Sequence, residues 1–212
     1  VYRFRYSNII NDSLYWFDHN TVNVEIWLEE GPKYYFRSVT WIGNTQHTSE
    51  ELSAILGIKR GDVFNQSLLD TRLFMNPNGR DVSSLYLDDG YLFFSITPVE
   101  INVENDSIDM EMRIYEGKQA TINRVYVTGN TKTHDHVVMR EIRTQPGQLF
   151  SRADVIRSQR ELAQLGYFDP EKLNVNPKPN PAEGTVDIEY VVEEKSSDMV
   201  ELSGGWGGGT FG

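Results

Sequence analysis

The sequence predicts an α+β fold in which one β-α-α-β-β unit occurs in tandem, each unit a three-stranded sheet covered by two helices. Three observations carry this reading. First, Phe36–Thr45 returns 86 positions later as Ile122–Thr131, both ending Gly-Asn-Thr, and Gly61-Asp62-Val63-Phe64 returns at the same offset as Gly147-Gln148-Leu149-Phe150. A register that survives across a helix marks a repeat rather than a chance match. Second, apolar residues alternate with period two before each Gly-Asn-Thr and recur at helical spacing after it. Third, capping residues and glycines fall where one pattern gives way to the other.

The elements follow in order. Val22–Gly31 also matches Ile108–Gly117 at the 86-residue offset, so residues 1–33 are expected to be the C-terminal part of a preceding copy. A chain that opens on Val1 in strand-like sequence reads as a piece of something longer. In the first full unit, 34–118, Val39 and Trp41 share one face of the opening strand and Thr40 and Ile42 the other. Gly43-Asn44 then stops the strand, at a place where positive φ costs little. Thr48 followed by Glu51 forms a capping box, and Leu52, Ile55 and Leu56 face inward before Gly57 ends the helix. A second helix is expected from its cap at Asn65 to Gly90-Tyr91. Gly61 to Gly90 spans 29 positions where Gly147 to Gly166 spans 19, and the ten extra residues fall around Asn76-Pro77-Asn78-Gly79. A hairpin through Asn105-Asp106 closes the unit.

In the second unit, 119–195, Asp135 is the expected cap of the first helix, with Val138 and Ile142 on its core face. Ser151 caps the second helix, which turns Val155, Leu162 and Leu165 inward and ends at Gly166-Tyr167. The closing hairpin passes through Pro181–Gly184.

Composition removes several function classes. Twenty basic against 31 acidic residues give a net charge of −11, which repels phosphate and leaves no basic stripe for nucleic acid. The chain has no Cys, so thiolate metal sites, disulfides and a cysteine nucleophile are excluded. It also lacks a run of 18 apolar residues of the kind a membrane-crossing helix needs.

An alternating strand, Gly-Asn-Thr, a capped helix, Gly-x-x-Phe, a helix ending Gly-Tyr and a closing hairpin form an ordered set that occurs twice. The set resembles the POTRA (polypeptide-transport-associated) domain, over residues 34–195 and through the partial copy 1–33. The tail Val200–Gly212, alternating and then Gly-rich, looks like the entry to the first strand of an outer-membrane barrel, as in BamA-type β-barrel assembly proteins. Residues 196–212 are therefore expected to be a linker and a truncated barrel strand. The resemblance implies an arm on the periplasmic side of the bacterial outer membrane. Such an arm receives unfolded outer-membrane proteins, docks accessory assembly lipoproteins and passes substrates to its own C-terminal barrel. It implies no cofactor, no metal, no catalytic residue and no nucleic-acid partner. A two-partner-secretion or organelle-import pore is the competing reading.

Candidate chemistry elsewhere is weak. His134-Asp135-His136 lacks a third ligand, and i and i+2 on a helix point apart. Asp88-Asp89 at a helix end reads as solvated carboxylates, since neither a nucleophile nor a base stands nearby. The glycines from Gly204 lack the Lys-Ser/Thr of a phosphate loop. The sequons at Asn11, Asn65 and Asn105 carry little weight in a bacterial protein.

Binding is expected at a sheet edge. With the closing strand at the centre, the strand after the second helix is left with unpaired backbone groups that an extended peptide can join. In the first unit this edge is assigned to Phe93, Ser95, Thr97, Ile101, Asn102 and Val103, interrupted by Pro98; in the second, Pro177 and Pro179 protect it. Gly117, Lys118 and Gln119 are the expected inter-domain hinge.

Overall fold

The structure is a computed structural model that describes residues 7–195; the expected linker and barrel strand at 196–212 lie outside the described residues. The described residues divide into two compact units: those up to Leu85 together with Phe94–Glu116, and Tyr86–Phe93 together with those from Gly117 on.

The first unit opens on an antiparallel hairpin, β1 (Ser7–Trp16) and β2 (Val22–Glu30). Its three-stranded sheet runs in the order β3 (Tyr35–Ile42), β5 (Ser107–Tyr115), β4 (Ser95–Glu104). The last strand in sequence is central, parallel to β3 and antiparallel to β4. Strict alternation in β5 buries Ile108, Met110, Met112 and Ile114 against the helices and leaves the other face polar.

Helix α1 (Ser49–Leu56) starts at the expected capping box. Thr48 Oγ1 accepts the Glu51 N–H at 3.2 Å, Glu51 returns its carboxylate to the Thr48 N–H at 3.1 Å, and Gly57 ends the helix at φ +60°. Asn65 caps α2 (Gln66–Phe74) by accepting the Leu68 N–H.

One expectation changes here. The ten extra residues do not lengthen a single helix; they break it, and a third helix α3 (Val82–Asp88) follows. Pro77 lacks a donor and Gly79 sits at φ +66°, so helix cannot continue through the turn. The turn is ordered by Asp81, 1% exposed, which accepts the Ser84 N–H and hydroxyl at 2.8 Å each and the Asn76 N–H at 3.1 Å.

The second unit repeats the plan with β6 (Thr121–Thr128), β8 (Thr185–Val191) and β7 (Asn174–Asn180) in that order. Its helices are α4 (Asp135–Met139) and α5 (Arg152–Gln164), the latter capped by Ser151. The core gathers Ile122, Val138, Ile142, Leu162, Phe168, Val186, Ile188 and Tyr190, with Val155 and Leu165 packed at its margin. The α4 cap differs from expectation. His134 holds the cap position and makes no side-chain cap bond, while Asp135 lies inside the first turn and accepts from Asn130 Nδ2 at 2.7 Å. With His134 outside the helix, its ring stacks on His136 at 5.7 Å instead of pointing away. No cluster of three metal-ligating side chains occurs among the described residues.

Gly90 and Gly166 follow the ends of α3 and α5 at φ +89° and +77°. At the first, Tyr91 N–H bonds to Tyr86 O and Gly90 N–H to Leu87 O, the paired bonds of a left-handed helix stop.

Candidate functional site

Each sheet presents two edges, and the chain treats them differently. The start of β3 is closed by the Gly-x-x-Phe segment: Phe36 N–H donates to Asp62 O, Gly61 N–H to Phe36 O and Phe64 N–H to Tyr34 O. The start of β6 is closed in the same way by Gly147, Gln148 and Phe150. The motif is thus a short antiparallel cover on an otherwise bare edge.

The opposite edges are β4 and β7. In β7, Pro177 and Pro179 stand opposite Ile188 and Val186. An edge proline turns its donorless nitrogen away from the ladder, so two of the outward donors of β7 are missing. In β4 the same role falls to Pro98 alone, opposite Met112.

Ser95, Thr97, Ile101, Asn102 and Val103 all lie in β4, whose outer edge pairs with no described strand. Phe93 does not. It sits in the turn before the strand and packs on the core of the second unit, so its side chain is committed elsewhere. The pairing with β5 shifts between Glu100 and Asn102, making Ile101 the extra residue of a β-bulge. A bulge twists the strand and divides the edge into Ser95–Glu100 and Asn102–Glu104. Ile101 and Val103 remain exposed.

Charges brace the far end of β4. The Arg37 guanidinium engages Asp109 and reaches Glu104 at 2.8 Å, and Ser38 Oγ donates to Asp109 at 2.6 Å. The Arg37 bonds, helped by Ser38, hold the Asp109 carboxyl well below the usual carboxylate range.

Gly117 (φ +69°), Lys118 and Gln119 open the second unit. Gln119 Nε2 donates to Asp89 O at 2.8 Å and Ala120 N–H to Gly90 O at 2.8 Å, so the residues after Gly117 are tied within that unit. Asp88 is not a solvated carboxylate as expected. It accepts the Ala153 N–H at 2.7 Å near the start of α5, and burial pushes its pKa up.

A further arrangement escapes sequence reading. Glu116 accepts the Thr45 and Gln46 N–H groups at 2.7 and 3.0 Å and the Thr45 hydroxyl at 2.5 Å. Glu194 does the same for Lys132 N–H, Thr133 N–H and the Thr131 hydroxyl. In both units a carboxylate just past the central strand locks the Gly-Asn-Thr loop, and the recurrence of Glu after each closing hairpin was the available signal.

Residues 34–117 and 120–195 match the family described as POTRA, surface antigen variable number repeat. The chain is 30% identical over 197 residues to the outer membrane protein assembly factor BamA of Nitratidesulfovibrio vulgaris, covering 92% of this chain and 24% of that one. To BamA of Neisseria meningitidis it is 29% identical over 193 residues, 89% of this chain and 23% of that one. It therefore spans about a quarter of the length of these relatives. Among solved structures, Haemophilus influenzae BamA POTRA3-5 superposes with a TM-score of 0.71 at 25% identity, over 89% of this chain and 72% of that one. Two matched repeats, each carrying the sheet order and helix pattern described above, show that the chain belongs to the POTRA family, in a tandem array of the BamA type.

Proposed function

We propose that this chain is the periplasmic arm of an outer-membrane protein assembly machine and that it binds extended segments of unfolded outer-membrane proteins by adding them as a strand to β4. The single observation behind the binding site is the contrast between edges: β4 keeps all but one of its backbone donors, whereas β7 carries two prolines. Backbone pairing reads side chains weakly, which suits a receptor for many barrel strands. The bulge at Ile101 sets two registers, so a peptide pairs with Ser95–Thr97 or with Asn102–Glu104.

Accessory assembly lipoproteins and a barrel of its own in the outer membrane complete the proposed set of partners; binding, with no catalytic step or cofactor, is the activity. Gly117 is the hinge of this reading, its left-handed φ being one that glycine adopts freely. Residues 1–33 are the C-terminal part of a preceding repeat, with β1 and β2 as its closing hairpin. In support, Val22, Val24, Ile26 and Leu28 are 37–60% exposed in β2, while their equivalents Ile108, Met110, Met112 and Ile114 in β5 are at most 8% exposed.

Amide NMR tests the binding site with a synthetic barrel-strand peptide. Saturable shifts are expected at Ile96 and Val103, which share the outward phase of Pro98, with Asn174–Lys178 unmoved. Equal perturbation of the two edges would refute the assignment.

A further inference from the structure

The outer edge of β3 is only half closed, and what lies beyond the cover has the parts of a binding groove. Side-chain face and backbone direction alternate together along a strand. Phe36 turns its ring to the core and its N–H and C=O outward, where Asp62 O and the Gly61 N–H meet them at 2.9 and 2.7 Å. The bulge between Phe36 and Ser38 advances the phase by one residue, so Val39 and Trp41 repeat the orientation of Phe36. Their two N–H and two C=O groups therefore face the same outer edge, past the end of the cover. Among the described residues β5 is the one strand paired with β3.

Beside these groups runs a groove of about 420 Å³ between β3 and α1, lined by Val39, Thr40, Trp41, Ser49, Glu50 and Ser53. Trp41 Nε1 donates to Ser53 Oγ at 2.8 Å and fixes the apolar wall. Glu50 supplies a carboxylate in the first turn of α1.

We propose that this groove is a second peptide site, independent of β4, which takes an extended segment antiparallel to β3 with an apolar side chain against Trp41 and a basic one at Glu50. Orientation follows from the chain's own precedent, since Val63 pairs antiparallel with Tyr35 on this edge and a bound segment continues that line. The basic residue follows from Glu50. The site belongs to the first unit alone. The positions equivalent to Trp41 and Glu50 are Val127, packed on the core, and His136, and α4 is only five residues long.

The test uses the isotope-labelled 212-residue chain and a synthetic peptide with the sequence of Thr121–Thr128, an alternating segment with one arginine. Saturable shifts are expected at the Val39 and Trp41 amides and the Trp41 indole N–H. Val39→Pro removes one outward donor while sparing the ladder to β5 and should abolish them. Glu50→Lys, on the surface, should weaken binding about fivefold, and replacing the peptide's arginine by glutamate should do the same. No saturable binding, shifts confined to Ser95–Glu104, or full affinity in Glu50→Lys would each overturn the proposal. Should Val39→Pro not fold, Glu50→Lys decides.

Discussion

Glu194 accepts the backbone N–H of Lys132 at 2.7 Å, 62 positions away along the chain. That bond, with those to Thr133 and Thr131, holds the loop that ends β6 against the end of the central strand. Burial raises the Glu194 pKa, but the N–H donors of Thr133 and Lys132 outweigh it and leave the carboxyl below its ordinary range. A folded pKa below the unfolded one contributes stability above the ordinary carboxylate pKa and loses it as pH falls through the lowered value. Glu194→Ala should therefore lower the melting temperature by a few degrees at about pH 7 and by much less at about pH 2. An equal loss at both would disprove the lock.

Two glycines with similar φ should respond very differently to alanine. At Gly129, a Cβ would stand 1.9 Å from Val192 O, while at Gly166 nothing lies within 4 Å. Gly166→Ala meets only the left-handed penalty, about 1 kcal/mol. Gly129→Ala must also move backbone and should cost about 3 kcal/mol or more. Denaturant titration ranks them; similar losses would contradict the close approach.

Tyr190 is fully buried at the centre of the second unit, its hydroxyl 2.9 Å from Thr144 Oγ1. Desolvation raises its pKa. Tyr190→Phe leaves the hydroxyl of Thr144, a residue 2% exposed, without this partner and should cost about 1–2 kcal/mol. Thr144→Val in the same background should recover part of the loss, and a Tyr190→Phe variant of unchanged stability would count against the pairing.

If proline is what closes the β7 edge, the double change Pro177→Thr, Pro179→Thr restores two donors and should make Asn174–Asn180 respond to a barrel-strand peptide as β4 does. Continued silence of these amides, with the fold intact by circular dichroism, would show that proline is not the barrier.

Local chemistry made much of this protein legible in its sequence. Thr48 with Glu51, Asn65, Ser151, Gly57, Gly90 and Gly166 each act within a few residues of themselves, so the capping and stopping they do is readable from neighbours. The repeat and its alternation likewise set the α+β class and the central place of the closing strand.

What tertiary structure alone decided involves partners far apart in the chain or small breaks in regularity. Glu116 and Glu194 find their loops 71 and 62 residues away. The Gly-x-x-Phe segments lie across strands formed more than twenty residues earlier. The bulge at Ile101, the break between α2 and α3 and the packing of Phe93 on the core of the second unit depend on how pairing and packing distribute an extra residue. No periodicity records that outcome, because the competing registers have nearly the same local propensity and differ only in which long-range contacts they complete.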